Sequence, residues 1–71
     1  MEHIERMKKE LEELEEKIKK GAEFLKKEIE NPKFTDNNQR ELLEMQLCYM
    51  SDYADTLKDR IEYDTNKAQA K

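Results

Sequence analysis

Seventy-one residues, 45% of them charged and 35% apolar, allow one domain at most and only a thin core. The net charge of −4 argues against a nonspecific DNA or RNA binder, which needs a basic surface to release counterions. A lone cysteine, Cys48, excludes an internal disulfide, and one distant histidine, His3, adds no metal cluster.

Residues 2–30 are predicted to form the first helix. Its apolar positions are Ile4, Met7, Leu11, Leu14, Ile18, Ala22, Leu25 and Ile29. The first five fit a heptad seam. The step of four from Ile18 to Ala22 reads as a stutter, which locally unwinds a left-handed supercoil. Gly21 stands at that point, either as a close approach for another helix or as a tolerated defect. Six Glu-to-basic pairs at i,i+4 support the helix: Glu2–Arg6, Glu5–Lys9, Glu13–Lys17, Glu15–Lys19, Glu16–Lys20 and Glu23–Lys27.

Asn31-Pro32 ends this helix, because proline disfavours the α conformation in the residue before it. The turn is expected at 31–35. Asp36 followed by Gln39 approximates a capping box for the second helix. That helix is predicted over 36–64, with Leu43, Leu47, Met50, Ala54, Leu57 and Ile61 as its seam. Residues 65–71 lack apolar periodicity and are expected to fray. Two helices of similar length and a short connection define the fold class. It is all-α, an antiparallel helical hairpin in a single domain over 1–71. The hairpin is expected to self-associate, since a core this small needs a supplement.

The second helix presents too wide an apolar face for one partner. Leu42, Met45, Tyr49 and Tyr53 form a line beside the seam. Phe24 lies off the seam of the first helix, and Phe34 sits in the turn. Leu42, Met45, Phe24 and Phe34 are therefore candidate interface residues. The surplus face suits another protomer, a tyrosine-lined pocket or another protein.

No catalytic constellation is present, and an enzyme is not expected. No cofactor or metal is expected either. Cys48 has no base near it in the sequence and reads as a partly buried small apolar residue. Asp52, Asp55 and Asp59 form an acidic stripe that reads as a solvated face. Gln46, Tyr53 and Arg60 are spaced by seven, so they share one helix line. Tyrosine and arginine stack on nucleobases, arginine also holds phosphate, and glutamine can read a base edge. Gln46, Tyr49, Tyr53, Arg60 and Arg40 are the candidate ligand residues for a small nucleotide. Tyr53 and Arg60 also suit an ordinary protein interface.

The second helix reads Gln46-x3-Met50-x2-Tyr53-x3-Leu57-x2-Arg60-Ile61, preceded by the turn NPKF at 31–34. In this the chain resembles a family of small proteins encoded by crAss-like phages, over residues 7–63. The stretch FLKKEIENPKF is longer between its phenylalanines than the family pattern. The architecture is similar to the phage anti-CBASS and anti-Thoeris sponges, which sequester nucleotide second messengers of bacterial immunity.

The resemblance implies an anti-defence protein acting in the host cytoplasm. With the ligand line above, it suggests a homo-oligomer that sequesters a cyclic oligonucleotide or cyclic ADP-ribose type signal. The alternatives are a protein–protein inhibitor of a host defence protein and a structural coiled-coil adaptor. None of these readings involves a DNA or RNA polymer or a membrane.

Overall fold

The computed structural model describes residues 2–69. It is a rod of 55 × 15 × 14 Å made of two antiparallel helices, α1 (Glu2–Glu30) and α2 (Asn37–Gln69). Among the described residues there is no strand. Glu2 and Glu5 in the first turn of α1, and Lys27 in its last, complement the helix dipole.

The inward positions of α1 are Ile4, Met7, Leu11, Leu14 and Ile18, all buried or half-buried. Those of α2 are Leu43, Leu47, Met50, Ala54, Leu57 and Ile61. The core proper is Ile4, Met7 and Leu57, with Leu11 and Ile61 packed against it. Leu57 is the most enclosed side chain, at 1% exposure. This cluster lies at the end of the rod away from the turn. Towards the turn the seam is only half-buried, and the large apolar side chains Phe24, Ile29, Phe34, Leu42, Met45 and Tyr49 stand exposed.

The expected stutter is absent. Ala22 and Ile29 are exposed, and the inward line runs on through Gly21, Leu25 and Glu28. The heptad therefore stays in register along the whole of α1. The reason lies in α2, whose inward residues also keep a strict heptad from Arg40 to Ala68. Matched registers let both seams face each other without local unwinding. The cost is a glycine and a glutamate at seam positions, and both are accommodated. A Cβ on Gly21 would stand 2.7 Å from Leu47 Cδ2, so Gly21 is a point of close helix approach.

Glu28 is buried, at 4% exposure, and its carboxylate organises the turn. It accepts from the backbone N–H of Phe34 at 2.9 Å, of Thr35 at 3.0 Å and of Lys33 at 3.3 Å. It also accepts from the Thr35 hydroxyl at 2.8 Å. These donors satisfy a charge that would otherwise be costly to bury. The Phe34 N–H is the largest influence holding the Glu28 carboxyl below its ordinary pKa. Burial opposes it, and the Thr35 hydroxyl and the other two N–H groups reinforce it.

The capping box forms in both directions. Asp36 Oδ1 accepts from the Gln39 N–H at 2.7 Å, and Gln39 Oε1 accepts from the Asp36 N–H at 2.8 Å. Helix α2 is longer than the sequence suggests. Residues 65–69 are helical, and Asp64 and Ala68 extend the heptad at half-buried positions. His3 Nε2 stands 3.5 Å from Asp64 Oδ2, which ties the two ends of the hairpin together. Residues 70 and 71 of the expected frayed tail lie outside the described residues.

Two further expectations are corrected. Cys48 is exposed, because it falls on the outer side of α2 rather than beside the seam. Glu15 does not turn to Lys19 but reaches across to Lys58 at 3.7 Å, while Glu16–Lys20 closes at 3.3 Å as expected.

Candidate ligand-binding site

Two contacts define the sides of the hairpin. On one side Lys58 pairs with Glu15. On the other the Tyr53 hydroxyl donates to the Glu10 carboxylate. Residues seven apart stay on one side of a helix over this length. The Tyr53 side therefore carries Glu10, Lys17 and Phe24 from α1, flanked by Arg6, Glu13, Lys20 and Lys27. From α2 it carries Gln46, Tyr53 and Arg60, flanked by Leu42, Tyr49, Thr56 and Tyr63.

This α2 stripe contains no carboxylate, although the chain has 18 acidic residues against 14 basic ones. Six side chains with permanent positive charge border the Tyr53 side when Lys67, seven beyond Arg60, is included. Glu10 and Glu13 oppose them along these lines, and Asp52 and Asp59, seven and fourteen beyond the groove residue Met45, stand at the outer edge of that side. Along the lines of Glu10 and Arg6 on α1 and of Gln46 and Leu42 on α2, cations outnumber carboxylates in a protein that is negative as a whole.

Leu42, Met45, Gln46, Tyr49, Met50 and Tyr53 line an open groove of about 340 Å³. Gln46 lies along Met50, with Nε2 at 4.0 Å from the sulfur, so its amide is only weakly held. Tyr53 is the most constrained member. Its pKa is raised, first by the hydrogen bond to Glu10 and then by burial and the Glu10 charge; the Arg60 charge works the other way. The phenol therefore stays neutral, its hydroxyl is tied to Glu10, and the side chain is 48% exposed.

The sequence-derived candidates divide. Gln46, Tyr49 and Tyr53 meet in the groove. Arg60 lies one heptad beyond Tyr53, outside the groove lining but within electrostatic reach of the phenol. Arg40 does not line the groove. Its guanidinium donates to the Thr35 carbonyl at 2.7 Å, to the Thr35 hydroxyl at 3.1 Å and to the Asn37 side chain, so it serves the turn. Leu42 and Met45 border the groove and remain exposed. Phe24 and Phe34 line a separate cleft at the turn.

Glu10 and Lys17 were not apparent as site residues from the sequence. Their spacing of seven from Phe24 was the available signal, but it acquires meaning only once the register between the helices is known. Among the described residues no cluster of His, Cys, Asp or Glu is arranged to hold a metal ion. No helix among them is long and apolar enough to cross a membrane.

Fold and site together define a small all-α hairpin that keeps its aromatic residues outside the core, along one cation-bordered side. The chain belongs to the Sequestin family, whose model matches residues 1–63. The match covers the α1 seam, the α2 seam as far as Ile61 and the whole groove, and the family's name denotes sequestration of a molecule. No curated protein and no solved structure matches the chain.

Proposed function

We propose that this protein binds and sequesters a nucleotide-type second messenger of bacterial immunity, without turning it over, on behalf of an infecting phage. The observation that carries this reading is the carboxylate-free stripe of α2. It sets Tyr49 and Tyr53 beside Arg60 in an otherwise acidic protein. Tyrosine rings offer a stacking surface for a base, and the bordering cations offer partners for phosphate. Gln46 donates to or accepts from the base edge. Sequestration is consistent with the family name, and it requires only binding.

The active form in this reading is a homo-oligomer in the host cytoplasm. Leu42 and Met45, on the outer rim of the groove, are its contact residues. Their burial against a second copy would deepen an open groove into a pocket.

Isothermal titration against cyclic dinucleotides, cyclic trinucleotides and cyclic ADP-ribose isomers tests the proposal. At least one should bind, and Tyr49→Ala and Arg60→Ala should each weaken it by about tenfold or more. Absence of heat with every member of the panel, at protein concentrations well above micromolar, rejects it. The exposure of Leu42 (64%) and Tyr49 (65%) also favours a second reading, inhibition of a host defence protein by direct contact. Recovery of one stoichiometric host protein, with no ligand bound, would select that reading.

A further inference from the structure

The side of the hairpin opposite the tyrosines leaves apolar surface uncovered. Leu11 and Ile61 line a recess of about 580 Å³ near the open end of the rod, together with Lys8, Glu12, Glu15, Lys58 and Glu62. Leu25 and Leu47 line a second recess of about 250 Å³ towards the turn, beside Ala22 and Ile29. Ile29 is 62% exposed there. Both recesses lie on the Lys58 side, where Glu15, Ala22 and Ile29 follow one another at intervals of seven. Among the described residues the buried apolar side chains are Ile4, Met7, Ala54 and Leu57, so covering these recesses would add greatly to a thin core.

The charges along this side indicate what covers it. Glu15 meets Lys58, which fixes the relative levels of the two helices. Counting from that pair along antiparallel helices, Lys8 falls within about one turn of the level of Glu62, Lys19 of Asp55 and Lys26 of Glu44. Ala22 is level with Ser51, each seven residues from its member of the pair. Where the edge of α1 is basic the edge of α2 is acidic, and the small residues coincide. Among the described residues, however, only Glu15–Lys58 closes as an ion pair between the helices on this side. The other complementary charges stay apart within the hairpin.

We infer that the Lys58 side receives a second copy of this chain, related by a two-fold axis along the rod, with both turns at the same end. The α1 edge of each copy then runs along the α2 edge of the other, at the levels just given. Lys19 faces Asp55, Lys26 faces Glu44 and Lys8 faces Glu62 across the copies, and Ala22 and Ser51 permit close approach. Turns at opposite ends would instead set the two α2 edges together, where Glu44, Asp55 and Glu62 are opposed only by Lys58. A rod of 55 × 15 Å presents about 800 Å² on one side, which is what each partner contributes to an interface of standard size. The apolar recesses supply the burial, and the charges set the orientation. The tyrosine sides face away from this contact, so each copy keeps its own groove. Leu42 and Met45 stay free for the separate contact proposed above. The inference stands without the nucleotide reading.

Sedimentation equilibrium of the full chain tests it, in a Leu42→Ala background that weakens association through the tyrosine side. One variant carries Lys19→Glu with Lys26→Glu, the other Glu44→Lys with Asp55→Lys. Each should weaken dimerisation by about tenfold or more through like-charge contacts. An equimolar mixture of the two should recover the parent's affinity, because every reversed charge then meets its opposite. All four side chains are exposed, so circular dichroism should match the parent. A parent that stays monomeric at concentrations well above micromolar overturns the inference. So does a mixture that associates no better than either variant alone. Neither result bears on ligand binding in the tyrosine groove.

Discussion

Gly21 and Leu47 meet across the seam so closely that a methyl group on the glycine would stand 2.7 Å from Leu47 Cδ2. Two effects then compete in Gly21→Ala. Alanine gains about 1 kcal/mol of helix propensity over glycine. The Leu47 tip must move, but it borders an open recess shared with Ala22, Leu25, Lys26 and Ile29 and can turn into it. The alanine variant is expected within about 1 kcal/mol of the parent, whereas Gly21→Leu should lose about 1–3 kcal/mol through overpacking. Urea unfolding followed by helical circular dichroism, at fixed protein concentration, reads both. A leucine variant as stable as the parent would show that the helices do not approach at this point.

Acid should loosen the turn through Glu28. Its folded-state pKa lies below the ordinary 4.5, so the ionised form stabilises the fold. That contribution is complete above 4.5 and is lost as pH falls through the lowered folded value. Glu28→Gln should unfold at lower urea than the parent at neutral pH. The gap between the two should narrow on acidification below 4.5. A constant gap across that range would mean that the charge of Glu28 is not what holds the turn.

Tyr53 behaves in the opposite sense. Its folded pKa is raised above 10, so the bond to Glu10 contributes below that value and is lost as pH rises through the folded one. Tyrosinate absorbance should show a late ionisation step that disappears in Tyr53→Phe. In Glu10→Gln the same step should move down. A titration unchanged by Glu10→Gln would remove Glu10 as the partner that pins the ring.

The core and the groove should respond differently to truncation. Leu57→Ala removes the most enclosed side chain and should cost about 2–5 kcal/mol, a large share of the stability of a domain this size. Leu42→Ala, on the open side, should change monomer stability by no more than about 0.5 kcal/mol. Parallel urea melts at low protein concentration compare them, and equal losses would contradict the division into core and open face.

Apolar spacing and the Asn31-Pro32 stop were enough to read the two helices, the turn and the α2 seam from Leu43 to Ile61, because period and punctuation are local properties; Arg40, Asp64 and Ala68, which extend that seam, are not marked by apolar spacing. The lower half of the α1 seam was misread for a physical reason. Ala22 and Ile29 are apolar and one place away from Gly21 and Glu28, so composition favoured them over register. Only the facing helix decides between the two. A buried glutamate is legible as a seam residue only when its four donors, all supplied by the turn, are in view.

The site followed the same division. Gln46, Tyr49 and Tyr53 share a stripe of one helix and could be aligned by counting. Arg40 looked like a free cation, since nothing in its own helix shows that Thr35 and Asn37 would claim it. Glu10 and the Phe24–Phe34 cleft depend on pairing between distant parts of the chain, which no single helix encodes.

The Glu28 cradle also sets which changes the molecule can absorb over evolutionary time. One carboxylate reaches three successive backbone N–H groups, so it measures the connection residue by residue. One residue inserted before Thr35 would shift that count and swing α2 about its axis by about 100°, carrying the tyrosines to a different side of the rod. Outward-facing letters are free to drift, whereas the length of the hinge is not. Relatives that keep the tyrosine side should therefore vary widely in surface charge and hardly at all in the number of residues between their helices.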